Sequence, residues 1–384
     1  MIYLDNNATT MVAPEVREAM APYFSDDYGN PSSLHGFGKR IRRAVEEARS
    51  EVAKLLGTRS ERELIFTSGG TESNHTAILS ALRAQPGRRR IVTSQVEHSS
   101  VKNFCGTLQK DGYEVISIGV SRTGSLDWKA FEETLTDQVA VVSIMWANNE
   151  TGVLFPIERI AQTVKEKGIL LHIDAVQATG KIKMRLRDIP LDYLSVSTHK
   201  FHGPKGIGVL YICDGSPFHP LFVGGRQERD RRAGTENVSG IIGLACALRL
   251  AINSIVTDGL HMQALRDSLE VGLLSQIPES FANGRENPRI PNTTNITIPG
   301  VEAETLLIRL SDAGIAASSG SACLTGALEP SHVLKAMGHS EDLAFSSLRF
   351  SLSRFTTASE IDMALRIIPG IVRQLRQLSE VEKL

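Results

Sequence analysis

The 384-residue chain lacks both a charge excess and long hydrophobic runs. It carries 42 Lys and Arg against 43 Asp and Glu, whereas a dedicated nucleic-acid-binding protein normally has a basic excess or stripe. Its most apolar stretch, residues 241–252, contains Arg249 and is too short for a bilayer span, which needs about 20 residues. The start, MIYLDNNATT, has neither the basic residues nor the apolar run of a secretory signal. We therefore expect no nucleic-acid partner, no membrane and a cytoplasmic location.

Cysteine is scarce, and its placement argues against disulfide and metal frameworks. The four cysteines have no CxxC pairing, and the ten histidines show no metal-ligand spacing with them; they are Cys105, Cys213, Cys246 and Cys323. We therefore expect free thiols and no metal site. Cys213 and Cys246 lie in apolar runs, which is typical of inert core residues. Cys323 lies among small and polar residues at 318–326, and because exposed free thiols are normally avoided, this setting indicates a reactive role.

Apolar runs alternate with amphipathic stretches through the first half of the chain. Strands are predicted at 90–94, 113–120, 139–146, 169–174, 193–198 and 206–212, and helices at 37–56, 72–84, 101–110, 156–167 and 238–255. The run 139–145 is almost continuously apolar, as in strands that are buried on both faces. This alternation predicts an α/β sheet with helices on both sides. A polar loop at 224–234 then precedes what we expect to be a smaller α+β domain.

Two candidate ligand groups lie near the carboxyl ends of predicted strands, where open α/β sheets bind their ligands. The Ser-Gly-Gly-Thr turn at 68–71 precedes a helix whose free N–H groups suit a phosphate, although such a turn is as often a simple tight connection. Asp174 ends an apolar strand, with Gln177 nearby. A carboxylate there can pair with a ring cation, whereas a lone aspartate more often caps or turns the chain.

Lys200 forms the third candidate group, together with Ser197 and His199 at another predicted strand end. A lysine with hydroxyl and imidazole neighbours suits a Schiff base beside a bound phosphate. A solvated surface lysine is the ordinary alternative for any single lysine, but this setting favours the Schiff base.

Many collinear motifs of this chain resemble those of the cysteine desulfurases of the NifS/IscS type, which are pyridoxal-phosphate enzymes of the class V aminotransferase group. The resemblance covers essentially the whole chain. The motifs are YLDNNATT at 3–10, GNPSS at 29–33, TSGGTESN at 67–74, Glu97-His98, NNETG at 148–152, the Asp174/Gln177 pair, STHK at 197–200, RAGTEN at 232–237, SSGSAC at 318–323 and RFS at 349–351.

The resemblance implies a fold type I architecture with pyridoxal 5'-phosphate as cofactor. The large cofactor-binding domain would span residues 12–255, with a mostly parallel seven-stranded sheet. The smaller α+β domain would combine residues 1–11 and 256–384 and carry a mobile loop with Cys323. The resemblance also implies a homodimer.

Each site residue inherits its expected role by position in these motifs. The expected catalytic residues are Lys200, which would carry the cofactor, His98, which would stack on its ring and shuttle protons, and Cys323, the nucleophile. The expected cofactor-binding residues are Gly70, Thr71, His98, Asn149, Asp174, Gln177, Ser197, His199, Lys200 and, across the dimer interface, Thr235. Asn149 and Arg349 would bind the substrate carboxylate, because an arginine fork suits a carboxylate.

The reaction that the resemblance implies is conversion of L-cysteine to L-alanine. The sulfur would leave as a persulfide on Cys323 and pass to an iron–sulfur scaffold protein or another acceptor. Two alternatives stay open on the sequence: another pyridoxal-phosphate enzyme of this fold, such as a selenocysteine lyase, and a non-catalytic sulfur-assembly subunit. The presence of Lys200, His98 and Cys323 argues against the latter.

Overall fold

The computed structural model describes residues 1–320 and 329–381, so Cys323 lies outside the described residues. The strands β1 to β13 are Ile2–Tyr3, Leu64–Thr67, Arg90–Ser94, Glu114–Ile118, Val139–Met145, Leu170–Asp174, Tyr193–Ser197, Gly208–Ile212, Phe281–Ala282, Thr293–Thr297, Ile315–Ala316, Ser318–Ser319 and Ser347–Ser351. The helices α1 to α14 are Pro14–Met20, Pro22–Ser25, Gly36–Leu56, Gly70–Ala84, Ser99–Lys110, Trp128–Thr134, Ile157–Glu166, Gln227–Asp230, Val238–Asn253, Ile255–Gln276, Ala303–Asp312, His332–Ala336, Glu341–Phe345 and Ala358–Val381.

The main sheet has seven strands in the order β2-β8-β7-β6-β5-β3-β4. Only β8 runs antiparallel to its neighbours β2 and β7, and the remaining pairs are parallel. Every residue of β5 is buried, as its continuous apolar run predicts. The predicted α/β class with a mostly parallel seven-stranded sheet is confirmed.

The C-terminal part of the chain forms a second, smaller group of elements. Strands β12-β13-β10-β9 make an antiparallel sheet, and β1 pairs with β11. A separate cluster of buried apolar side chains joins Ile2 and Leu4 to residues between 265 and 375. The chain start therefore packs with the C-terminal part, while the division into a large domain at 12–255 and a small domain of 1–11 and 256–384 stays a prediction.

Helix bounds differ from the sequence prediction around residue 254. The predicted helix at 238–255 ends at Asn253, and a further helix, α10, continues to Gln276. The sequence pattern missed α10, because its buried face includes Arg266 and Glu270 and so lacks a clean apolar stripe. Within the described ranges no single helix is long and apolar enough to cross a membrane; α9 and α10 meet that criterion only as a pair bent by 73°.

Candidate active site

A cavity of about 350 Å³ opens at the carboxyl ends of β5, β6 and β7, beside the first turn of α4. This is the position that open α/β sheets use for ligands. Its lining includes most of the residues expected from the sequence, namely Gly70, Thr71, His98, Asn149, Asp174, Gln177, Ser197, His199, Lys200 and Arg349. The fold thus joins residues up to 279 positions apart in the chain, while their individual roles stay predictions.

Lys200 follows β7 in a short turn and reaches the N-terminal segment of the chain. Its Nζ donates hydrogen bonds to the carbonyl oxygens of Asn7 at 2.7 Å and Ala8 at 2.8 Å. Burial lowers the pKa of this amine to about 8, and the nearby Arg349 acts in the same direction. A lysine with a lowered pKa presents more of the unprotonated amine that a Schiff base needs.

Asp174 ends β6 at the floor of the cavity and is 5% exposed. Its Oδ1 accepts the backbone N–H of Val176 at 3.0 Å, and its Oδ2 accepts Asn74 Nδ2 at 2.8 Å. Asn74 comes from α4 and also donates to Ser100 Oγ at 2.9 Å. The carboxylate is therefore held in one orientation by two donors.

His98 precedes α5 and caps its first turn. The ring Nδ1 accepts the backbone N–H of Ser100 at 3.1 Å and lies 2.9 Å from Ser100 Oγ. Desolvation by the surrounding protein lowers the pKa of His98; the negative charge of Asp174 opposes this shift, and Lys200 adds to it. The ring therefore favours its neutral form.

The first turn of α4 forms the anion-binding end of the cavity. Gly69 caps the helix with φ +151°, a conformation that side chains rarely adopt, and Gly70 is its first residue. A Cβ on Gly70 would lie 2.7 Å from Val176 Cγ2, so the close packing there requires glycine. The helix start leaves backbone N–H groups for an anion, with Thr71 beside them.

Lys181 is a buried amine next to the cavity-lining Gln177, and the sequence analysis did not identify it. Its Nζ donates to Gln177 Oε1 at 2.7 Å and lies 3.5 Å from Asn7 Oδ1, and Gln177 Nε2 in turn donates to the carbonyl of Asn7 at 3.0 Å. Burial lowers the pKa of Lys181 to about 7, with further contributions from Lys200 and Arg349. The hydrogen bond from Lys181 therefore orients the Gln177 amide, with its oxygen toward Lys181.

Arg349 lies on β13 and is 6% exposed. Nη2 donates to Asp5 Oδ1 at 2.7 Å and Nη1 to the carbonyl of Asn149 at 3.1 Å. Its buried Nε has no acceptor among residues 1–320 and 329–381. A guanidinium that is anchored on one side, with an unused donor and a place in the cavity wall, suits a carboxylate ligand.

Glu150 lies next to Asn149 and contacts both ends of the segment that contains Cys323. Ser331 Oγ donates to Glu150 Oε2 at 2.5 Å, and a Cβ added to Gly320 would collide with the same oxygen. Complete burial raises the pKa of Glu150 to about 7, although Ser331 and Arg349 oppose the shift. The sequence carried no signal for this contact beyond the motif at 148–152.

Two expected site residues are not among those that line the cavity. Cys323 lies outside the described residues. Thr235 is exposed and lines a separate cavity of about 210 Å³ with Arg232 and Ser68. The segment before it is held by a buried ion pair from Arg49 to Glu228 and a partly exposed one from Arg232 to Glu72. Thr235 therefore does not line the cavity that holds Lys200 and Asp174, and its expected role across a dimer interface stays a prediction.

The donors present fit pyridoxal 5'-phosphate. The helix start with Thr71, Ser197 and His199 suits the phosphate, Asp174 the ring nitrogen and Gln177 the phenolic oxygen, while Lys200 supplies the amine. The close-packed Gly70, which leaves the helix start without a side chain, supports the phosphate end of this assignment.

This fold and donor set define a class of enzymes. The chain belongs to the aminotransferase class-V family, whose model matches residues 2–364, and this family consists of pyridoxal-phosphate-dependent enzymes of fold type I. Its sequence is 50% identical to "Cysteine desulfurase NifS" of Azotobacter vinelandii over 378 residues, which cover 98% of this chain and 94% of that protein. It is 52% identical to a "Cysteine desulfurase" of Trichormus azollae over 379 residues, with 99% and 94% covered. A solved "NifS-like protein" superposes with a TM-score of 0.91 at 37% identity, covering 97% of this chain and 99% of that one.

Proposed function

We propose that this protein is a cysteine desulfurase that uses pyridoxal 5'-phosphate to convert L-cysteine to L-alanine. One observation carries the proposal: a lysine amine with a lowered pKa, a buried aspartate and an anchored arginine line one cavity. The names of relatives that are half identical along the whole chain support the substrate.

The chain's own residues divide the work in the cavity. Arg349, anchored by Asp5, binds the carboxylate of the substrate through its guanidinium in the cavity wall. Lys200 Nζ would hold the cofactor and, once released as a free amine, would accept the α proton of the substrate, for which a pKa of about 8 is suited. Asp174 keeps the ring nitrogen protonated, and the bound cofactor supplies an electron sink for the charge that develops on the substrate carbon.

Cys323, the nucleophile that the sequence predicts, accepts the sulfur of the substrate. Its thiolate attacks the sulfur of the substrate, so an S–S bond forms while the bond between that sulfur and carbon breaks. The carbon that carried the sulfur takes up a proton and becomes the methyl group of alanine. The enzyme keeps the sulfur as a persulfide. The balance is L-cysteine plus a thiol giving L-alanine plus a persulfide, with no external oxidant.

Sulfur transfer to an acceptor and a shared homodimer site complete the proposal. An iron–sulfur scaffold or another sulfur-accepting protein would collect the persulfide sulfur. The exposed position of Thr235, outside the cavity of its own chain, supports a contact with the cofactor phosphate of a partner subunit. Free thiols at Cys105, Cys213 and Cys246 are typical of a reducing compartment, in keeping with the expected cytoplasmic location.

The test is a comparison of Cys323→Ser with Cys246→Ser during brief exposure to L-cysteine. The wild type and Cys246→Ser should release alanine and gain one sulfur on the peptide with Cys323, as read by mass spectrometry. Cys323→Ser should keep the cofactor absorbance yet release alanine at only a small fraction of the wild-type rate, because no thiolate receives the sulfur. A fully active Cys323→Ser enzyme, or sulfur on another cysteine, would refute the assignment.

A further inference from the structure

Four polar side chains form a continuous hydrogen-bonded chain along one wall of the cavity. It runs from Asp174 Oδ2 to Asn74 Nδ2 at 2.8 Å, from Asn74 Nδ2 to Ser100 Oγ at 2.9 Å, and from Ser100 Oγ to His98 Nδ1 at 2.9 Å. Asp174 and His98 both line the cavity but come from different elements. Asp174 ends β6, and His98 immediately precedes α5. Asn74 is fully buried on α4.

The direction of each hydrogen bond follows from the groups at the two ends. A carboxylate oxygen accepts, so Asn74 must turn its NH₂ group, and not its oxygen, toward Asp174. The second hydrogen of that NH₂ group points to Ser100 Oγ and occupies one lone pair of the hydroxyl. The hydroxyl hydrogen is then available for His98 Nδ1.

The backbone adds an independent constraint on the same ring nitrogen. The N–H of Ser100 also points at His98 Nδ1, at 3.1 Å, because the ring caps α5. An amide N–H is always a donor, so a proton on Nδ1 would face it directly. Nδ1 is therefore an acceptor, and in the neutral ring the proton resides on Nε2.

We propose that Asn74 and Ser100 are positioning residues that set the tautomer of His98, so that its ring meets the cavity as a neutral N–H donor at Nε2. The positive end of α5 disfavours a second proton on the ring. The charged and titratable groups around the ring are Asp174 on β6, Lys200 and His199 after β7, and His332 on α12. Asp174 alone among these is an anion.

This tautomer separates two proton-transfer roles in the cavity. A neutral imidazole with its proton on Nε2 can donate to a ligand but must lose that proton before Nε2 accepts another. Lys200, whose pKa is lowered to about 8, is the nearby amine, and it accepts a proton before the His98 ring does. The consequence rests on the proposed function, but the tautomer itself does not, so its test requires no turnover.

The test is ¹⁵N NMR of the cofactor-loaded, substrate-free enzyme with labelled histidine, in which His98→Gln identifies the His98 signals. At pH 8, Nδ1 should show the shift of an unprotonated ring nitrogen and Nε2 that of a protonated one. Ser100→Ala removes a hydroxyl that donates to Nδ1 of the neutral ring; to accept from the charged ring, that hydroxyl would have to turn its hydrogen away while Nδ1–H still faced the backbone N–H of Ser100. The pKa of His98 should therefore rise by about 0.5–1 unit, which corresponds to the loss of one hydrogen bond.

Ser99→Ala is the matched control, since it removes a neighbouring exposed hydroxyl from the same helix turn. Asn74→Leu should raise the pKa of His98 in the same direction, whereas Thr76→Val on the same helix should not. Should Asn74→Leu fail to fold, Ser100→Ala decides, because that residue is only half-buried. A proton on Nδ1 in the wild type would overturn the proposal, as would equal pKa values in Ser100→Ala and Ser99→Ala. Absent desulfurase activity with the expected tautomer would refute only the proposed function.

Discussion

Lys181 gives the sharpest stability prediction, because it is a buried amine whose hydrogen-bond partners are both neutral amides. Its acceptors are Gln177 Oε1 and Asn7 Oδ1, and its pKa is lowered from 10.5 to about 7. Between these two values the unfolded chain binds the proton and the folded chain does not. The contribution of Lys181 to the free energy of unfolding therefore rises with pH over this window and is least favourable below pH 7.

Replacing Lys181 with methionine removes this titration and keeps a side chain of similar length. One pKa unit corresponds to about 1.4 kcal/mol, so the destabilisation due to Lys181 should shrink by about 3 kcal/mol between pH 6 and pH 9.5. The free energy of unfolding of Lys181→Met, relative to that of the wild type, should therefore be highest at pH 6. It should also bind the cofactor less tightly, since the Gln177 amide loses one of the two hydrogen bonds that orient it.

The assay is urea unfolding of the cofactor-free wild type and variant, at equal chain concentration, at pH 6 and pH 9.5. The difference between the two proteins is the informative quantity, because titrating groups that do not interact with the charge of Lys181 contribute equally to both; His199 and His202, which do interact with it, both have a pKa lowered to about 4 and so stay neutral at pH 6 and pH 9.5. Lys183→Met, a neighbouring lysine that is exposed, is the control and should show a constant difference. A constant difference for Lys181→Met as well would refute a pKa near 7.

Two further predictions concern the ligand and the partner subunit. Arg349→Ala should lower kcat/KM for L-cysteine by roughly 30-fold or more, because removing a buried charged partner costs about 2–5 kcal/mol. Arg354→Ala is its control, and an equal loss there would move the carboxylate site. Mixing inactive Thr235→Val with inactive Lys200→Ala should restore up to about a quarter of wild-type activity, since mixed dimers would hold one intact shared site. No gain on mixing, with subunit exchange demonstrated, would contradict the shared site.

Strands of the main sheet were predictable because their pattern is local. A strand that is buried on both faces must be apolar at every position, as Val139–Met145 is, and this needs no knowledge of its neighbours. Helix α10 shows the limit, because buried Arg266 and Glu270 interrupt its apolar face. Their partners, Asp267 for Arg266 and Arg289 and Thr294 for Glu270, include residues about 20 positions away, which no helical periodicity can reveal.

The sequence by itself determined the α/β class, the family and the residue types of the site, because side-chain chemistry and short motifs are written in consecutive positions. Only the tertiary structure decided how those groups are oriented and charged. Asn7 meets Lys200 from 193 positions away, and Asp5 meets Arg349 from 344. Asn74 and Ser100 join Asp174 to His98 through elements that are separate in the chain. Burial and the direction of hydrogen bonds set these pKa values and this tautomer, and both are properties of the packed molecule.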